Sequence, residues 1–397
     1  MGSKVLIAGV GMVPFARPGR SAPYDVMAEI SIRAALDDAQ LDYDLVDQVY
    51  AGFVLGESCS GQRAAYRVGR SGVPITNVNN NCASGSTALH SARLSILSGE
   101  AECALAIGFE EIPPGALPRI FPNVADPLER HLYCADDAIH CSEADRARPH
   151  ALRLFSAQCE WMRRELGISE QTLARVAVKA RSHAASNPYA IFRDPLTVDE
   201  ILAQPPLFGG LRRFYACPPS CGAAAAIICT PTFAARHGVR RPVAISAQTM
   251  VSDVEEDIDH PNVLDVLGRG NTRRAALRAY EQAGVSPEDI DVAEVHDCSV
   301  SNEMISCASL GFCDEGDLER FVLEGENTYG GKIVICPSGG LLSKGHPLGA
   351  TGLAQIAELT WQLRGEAQGR QVSKARTALQ HNGGLGSATV VTILQTV

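Results

Sequence analysis

Residues 77–99 read NVNNNCASGSTALHSARLSILSG. Three asparagines, Asn79, Asn80 and Asn81, lead into a single cysteine, Cys82, and the residues just after it are all small. Ala88, Leu89, Ala92, Ile96 and Leu97 then recur at helical spacing, and Gly99 supplies a stop. This pattern predicts a helix that opens just past Cys82. A thiol at a helix mouth feels the positive end of the dipole and unpaired N–H groups, which favours its thiolate. Small neighbours let a substrate carbonyl approach the backbone, and the N–H of Cys82 can face a developing oxyanion. The competing reading is a buried cysteine that merely closes a helix.

Working outward, strand-like and helical patterns alternate through the first hundred residues. Residues 5–8, 46–54 and 103–107 read as strands, 24–39 as a helix, and 76–78 as a strand feeding the Cys82 segment. Such alternation predicts a layered α/β sheet. The chain also repeats itself. Residues 96–109 share their plan with 362–383, and 36–54 with 280–298: a helix ends, a turn follows, and a strand begins. Two similar halves are expected, each with a helix like the one after Cys82. In the second half it begins near GHPLGATGLAQIAEL, residues 345–359. Residues 113–205 are rich in Pro, Arg and His, carry an amphipathic stretch near 150–166, and read as an insertion. The expected organisation is a first half at 1–112 closed by 206–240, an inserted loop domain at 113–205, and a second half at 241–397.

At 397 residues the chain exceeds the usual single domain. A net charge of −10 argues against nucleic-acid binding, which needs a basic surface. No apolar run nears the ~18 residues of a membrane span, and the opening MGSKVLIAGVG reads as a buried strand, not a signal peptide. Thirteen cysteines without a C-x-x-C pair fit free thiols in a reduced, cytoplasmic protein. GVGMVP at 9–14 lacks the third glycine of a dinucleotide loop and sets Pro14 where a helix would continue. His131, Cys134, His140 and Cys141 fit no standard zinc spacing. Cys217 and Cys221, in ACPPSCG, read as a loop packed by two thiols.

Three later stretches hold groups suited to acyl transfer. EVHDCSVSNEM (294–304) lines up His296, Asp297 and Cys298 where a strand ends, a rigid place for catalytic groups. SGGLLSKGHPLGATG (338–352) sets His346 between Gly345 and Pro347, among glycines that let backbone pass close to a ligand. LQHNGGLGS (379–387) ends a strand at His381 and Asn382 and turns on glycines, Gly383 first, whose N–H groups can face an oxyanion. Structural histidines and buried thiols are the bland alternative for each. A cysteine served by histidines from distant sequence is a reasonable acyl-transfer site.

Taken in order, NNNCASGSTAL, EVHDC, SGGLLSKGHPLGATG and LQHNGGLGSATVVTIL, with NPYAIFRDPLT and CPPSCGAAAAI between them, resemble the sterol-carrier-protein-type branch of the thiolases. The resemblance covers nearly the whole chain and is weakest at 115–149. It implies the thiolase fold: two similar βαβαβαββ halves in a five-layered αβαβα core, with a loop domain inserted in the first half. It implies an acyl-CoA C-acyltransferase of lipid metabolism that cleaves 3-ketoacyl-CoA, or condenses acyl-CoA units, through an acyl-enzyme. Cys82 is then the nucleophile and His346 its activator. His296 and His346 share one oxyanion hole, the N–H groups of Cys82 and Gly383 form the other, and Cys298 is the acid/base. His381 takes the place of the acid/base cysteine of other thiolases, which leaves it and Asn382 as further candidates.

No cofactor or metal is implied, since coenzyme A thioesters are substrates. The implied partners are acyl-CoA, CoA and further copies of the chain, as a homodimer or homotetramer; 103–107 reads as an apolar strand at a sheet edge that needs cover. Related bacterial proteins also pair with a small zinc-ribbon/OB-fold protein. The family's HDCF reads HDCS here, so Ser299 is expected to widen or wet the pocket beside Cys298. That departure motivates an alternative, a biosynthetic condensing acyltransferase acting on a carrier-bound or non-standard acceptor. Cys82 argues against a retro-aldol lyase, and the intact set of Cys82, His296, Cys298 and His346 argues against a subunit that only binds acyl-CoA. The sequence stops at Val397, so no lipid-transfer domain is expected to follow, and it does not close on a peroxisomal tripeptide.

Overall fold

The computed structural model describes residues 5–114, 123–259, 262–386 and 388–397; residues 115–122 of the expected insertion lie outside them. In chain order the main strands are β1 (Val5–Met12), β2 (Gln48–Gly52), β3 (Ile75–Val78), β4 (Cys103–Glu110), β5 (Gly222–Cys229), β6 (Val243–Val251), β7 (Val292–Glu294), β8 (Val334–Ile335), β9 (Thr377–Gly384) and β10 (Ala388–Thr396). They hydrogen-bond in the order β8-β7-β9-β10-β6-β1-β5-β4-β2-β3. Divided between β6 and β1, this ribbon gives two halves of identical order and sense. In each, the second strand runs parallel to the third and fourth, and the fifth lies antiparallel between the fourth and the first. The repeat in the sequence is thus a repeat in topology. Val5, Leu6 and Ile7 pair with β6 and join the halves.

The principal helices are α1 (Tyr24–Ala39), α2 (Ser84–Ser98), α3 (Glu129–Ala138), α4 (His150–Glu165), α5 (Glu170–Ala184), α6 (Arg269–Ala283), α7 (Val300–Ser309) and α8 (Thr351–Arg364). Strand alternation sorts the side chains into layers. On β4, Leu105, Ile107 and Phe109 join Met27, Ile32 and Leu36 of α1. Ala104 and Ala106, on the other face, share a core with Leu89 and Ala92 of α2 and Leu353 and Ile356 of α8. Val292, Ala378 and Leu394 close that core from the second half. Ala275, Ala279 and Tyr280 of α6 cover the second half's outer face. The result is helix, half-sheet, central helix pair, half-sheet, helix. Ala104, Ala106, Ala224 and Ala226 are the small residues of the first half's inner face, where α2 and α8 pack. Fully buried Leu89 and Leu353 each contribute about 1.5–3 kcal/mol. Helices α3 to α5 form a lobe that packs on α7.

Two expectations need correction or refinement. Strand β4 is no edge: β5 and β2 flank it, and the outer strands of the sheet are β3 and β8. Its continuous apolar run reflects burial on both faces, not a need for external cover. Residues 9–12 simply continue β1, where a Cβ on Gly9 would lie 2.2 Å from the Ala35 carbonyl oxygen and one on Gly11 2.5 Å from that of Ser31. Those glycines let α1 approach the strand. No helix among the described residues is long and apolar enough to cross a membrane.

Candidate active site

Cys82 sits on the tight loop between β3 and α2. The asparagine run builds that loop. Asn81 takes a φ of +50°, and the N–H groups of Ala83 and Ser84 donate to the carbonyls of Asn80 and Asn81 at 3.0 Å. The Asn80 N–H donates to Ser84 Oγ at 2.9 Å, and its side-chain amide to Thr87 Oγ1 at 3.0 Å. The small residues that follow admit the other half of the molecule. A Cβ on Gly85 would lie 2.5 Å from the Gly349 carbonyl oxygen, and one on Gly108 2.2 Å from it. The mouth of α2 therefore abuts the loop that precedes α8, which carries His346.

Cys82 Sγ and one ring nitrogen each of His296 and His346 lie within 4.8 Å of one another, all buried. The two imidazoles meet edge to face, with centroids 5.1 Å apart. Their neighbours fix their protons. Thr351 Oγ1 donates to the Pro347 carbonyl at 2.9 Å, so it accepts from His346 Nδ1 at 2.7 Å. His346 thus carries its proton on Nδ1 and presents a buried, unpartnered lone pair on Nε2. The Asn382 amide donates to His296 Nδ1 at 3.0 Å, which puts the His296 proton on Nε2. One histidine offers an acceptor and the other a donor. The His346 N–H, donating to Ser220 Oγ at 3.0 Å, holds the loop itself.

Burial holds His346 down at about 3. Burial, reinforced by His346 and His381, keeps His296 well below the ordinary histidine range. Burial also pushes the Cys82 thiol up to about 12, against N–H groups of Leu385 and Cys82 that favour the thiolate; Glu110 adds to the rise. The expected thiolate is therefore corrected: loss of water outweighs the helix end. The resting pair is a thiol beside a neutral imidazole.

Cys298 is buried beneath the lobe, and its carbonyl accepts the Cys217 N–H at 2.9 Å. Burial, then the neighbouring Cys217 and Cys82, hold its thiol well above the ordinary range. Asp297 turns aside to accept the Leu341 N–H at 2.7 Å. His381 has both ring nitrogens engaged: Nδ1 accepts the His296 N–H at 3.4 Å, and Nε2 lies 3.0 Å from Thr272 Oγ1. Gly383 lies beside the His296 ring, 3.9 Å from where a Cβ would stand. Ser299 is fully buried and caps α7, accepting the Asn302 N–H at 3.1 Å and meeting Ser301 Oγ at 2.9 Å. Its hydroxyl is thus occupied at the helix start.

Several contributors were not marked by the sequence. In the loop read as packed by two thiols, the cysteines meet different neighbours: Cys221 Sγ accepts the Ile112 N–H at 3.3 Å, and the Cys217 N–H donates to the Cys298 carbonyl at 2.9 Å. Glu110 accepts the N–H groups of Leu55 at 2.8 Å and Gly349 at 2.9 Å, tying the His346 loop to the first half. Burial raises this carboxyl to about 7. A carboxylate ending an apolar strand was its visible signal. Thr351 and Leu385 had none. The 131–141 run forms no ligand-spaced cluster among the described residues, and His131 instead pairs with Asp253 at 3.1 Å.

Residues 5–202 match the family model described as Thiolase, N-terminal domain, and residues 256–396 the one described as Thiolase C-terminal domain-like. Sterol carrier protein 2 of Oryctolagus cuniculus is 44% identical over 394 residues, 98% of this chain and 71% of that protein. The acetyl-CoA acetyltransferase of Methanothermobacter thermautotrophicus is 32% identical over 394 residues, 98% of each chain. Among solved structures, the Ltp2-ChsH2(DUF35) aldolase superposes with a TM-score of 0.82 at 21% identity, covering 100% of this chain and 98% of that one, a likeness of fold. With both family models matched in order along one chain, this protein belongs to the thiolase family and is an acyltransferase.

Proposed function

We propose that this chain moves acyl groups between CoA thioesters through Cys82, cleaving 3-ketoacyl-CoA with CoA or running the reverse Claisen condensation. The observation that carries this reading is a buried thiol flanked by two histidines whose protons are set in opposite senses. In the cleavage direction Cys82 Sγ attacks the keto carbon, and His346 Nε2 takes the thiol proton as the C–S bond forms. The N–H groups of Cys82 and Gly383 hold the tetrahedral oxyanion. The C2–C3 bond then breaks, leaving the acyl group on Cys82 and an enolate on the departing thioester. Nε2–H of His296 and the newly formed Nε2–H of His346 bind the enolate oxygen, while Cys298 gives its proton to the carbon. Finally a CoA thiol gives its proton to the Cys298 thiolate and attacks the acyl-cysteine. The C–S bond to Cys82 breaks, His346 returns its proton to Cys82 Sγ, and acyl-CoA leaves with both thiols and the neutral imidazole restored.

The alternative with a carrier-bound acceptor drew on Ser299, which instead caps α7. A lyase has no use for an acyl-cysteine. Assembly as a homodimer or homotetramer belongs to this reading by kinship, as does a small second polypeptide, for which the name Ltp2-ChsH2(DUF35) is suggestive. Free thiols throughout support a reducing compartment such as the cytoplasm. The test is the intact mass of the protein after exposure to a panel of acyl-CoAs. Wild type should gain an acyl mass and Cys82→Ala should not. An alanine variant that acylates at the wild-type rate places the nucleophile elsewhere.

A further inference from the structure

We infer that Ser86, Gln380 and Gln355 are positioning residues: through Asn382 they form a one-way chain of hydrogen bonds that keeps the His296 proton on Nε2. The inference rests on the reading of His296 as an oxyanion donor. The direction of the chain is forced from its far end. Gln355 Nε2 lies 3.0 Å from the Val295 carbonyl and 3.1 Å from that of His381. Carbonyls only accept, so the Gln355 amide has one orientation and its Oε1 must accept. It accepts from Gln380 Nε2 at 3.0 Å. The second proton of that nitrogen goes to Ser86 Oγ at 2.7 Å, while Thr392 Oγ1 donates to Gln380 Oε1 at 2.8 Å. Ser86 then has one proton left, and it goes to Asn382 Oδ1 at 2.8 Å. Asn382 is left with its N–H facing His296 Nδ1.

Turning over Gln355 or Gln380 sets two donors or two acceptors face to face. Turning over Asn382 gives the Ser86 hydroxyl a second donor, takes away the acceptor of its own proton, and sets Oδ1 against the His296 Nδ1 lone pair. Ser86, Gln355, Gln380, Asn382 and Thr392 are each 0% exposed, so bulk water cannot readily replace a lost bond. The fold keeps room for the chain: a Cβ on Gly352 would stand 2.1 Å from Ser86 Oγ and 2.6 Å from Asn382 Oδ1. The links come from α8, β9 and α2, so the donor at His296 depends on the docking of both halves. Ser86 lies four residues beyond Cys82, in the first turn of α2, so the helix that follows the thiol also orients the donor.

A purely structural network would hold these elements together without choosing a tautomer. Nitrogen-15 NMR of the full chain labelled at histidine separates the two roles, with His296 assigned by its loss in His296→Gln. Wild type should show a protonated Nε2 and a bare Nδ1. The isosteric Asn382→Asp replaces the donor by an acceptor and should put a proton on Nδ1. Ser86→Ala should give a mixture of tautomers. Its kcat should fall by about 10- to 10²-fold with KM for acyl-CoA little changed, less than the 10²–10³ for outright loss of an oxyanion donor. A bare Nδ1 in folded Asn382→Asp, or an unmixed Nε2–H in folded Ser86→Ala, overturns the positioning role. So does a switched tautomer with undiminished kcat. Wild type failing to acylate Cys82 while keeping its tautomer would instead overturn the underlying reading of the site.

Discussion

Cys82 should react with a small alkylating reagent as a slow thiol whose rate climbs with pH. Its thiol is held at about 12. At pH 7.5 about 3 in 10⁵ molecules then carry the thiolate, against about one in ten for a free cysteine near 8.5. The more basic thiolate is intrinsically more reactive, which returns roughly 1.5 decades. Net alkylation should run about 10²-fold slower than that of a free thiol. His346 does not rescue the rate at rest, because an imidazole held at about 3 is a poor resting proton acceptor. The assay is a timed pulse of iodoacetamide between about pH 6 and 10, with the Cys82 peptide quantified by mass spectrometry. Exposed Cys59 serves as the reagent control in the same digest. Because deprotonation lies above the whole range, the logarithm of the rate should rise by about one per pH unit without inflection. Acylation by acyl-CoA should stay nearly flat, since the proton passes to His346 during attack. A plateau in alkylation near neutrality would reveal a thiolate–imidazolium pair and refute the argument.

Two further outcomes separate the roles of neighbouring groups. Cys298→Ser should leave acylation of Cys82 largely intact yet slow carbon–carbon cleavage and condensation by ~10²–10⁴, as read by single-turnover mass spectrometry against steady-state turnover. His381→Ala, whose ring is engaged on both nitrogens, should lower the melting temperature without that selective loss; the reverse pattern would make His381 the proton carrier. Gly85→Ala drives a Cβ against the Gly349 carbonyl oxygen and should cost about 1–3 kcal/mol together with most of the acylation rate. Gly99→Ala, at φ +82° with open space around it, should cost about 1 kcal/mol with acylation unchanged, and equal activity losses in the two variants would show that the α2 mouth does not position the site.

The layers were legible, and so were the candidate residues that the fold brings together, because each has a local signature. Helical periodicity marks 24–39 and about 150–166, and the observed α1 (Tyr24–Ala39) and α4 (His150–Glu165) agree with it. Cys82, His296 and His346 stand at a helix mouth, a strand end and a glycine-rich loop, places that recur at sites and can be seen in a few residues of context. What was not legible depends on groups far apart in the chain. Ser86 reads as one more small residue of a first turn, and its partner Asn382 lies 296 residues away. Thr351 reads as a helix start until its hydroxyl is seen against His346.

The thiolate expectation shows where local reasoning stops. The helix end acts within one turn of Cys82, but the desolvation that opposes it comes from packing by distant parts of the chain. The small residues after Cys82 were read as room for a substrate. Gly85 and Gly108 are also room for the Gly349 carbonyl. That close approach buries Cys82, which raises its thiol, and the same loop delivers His346, whose burial keeps its Nε2 lone pair free. A thiol too weakly acidic to ionise alone and a base placed to take its proton thus share one cause, the meeting of the two helix mouths. On that account the poor resting nucleophile is no defect of the site. In the proposed reaction its proton leaves for His346 as a carbonyl carbon takes up the sulfur electron pair.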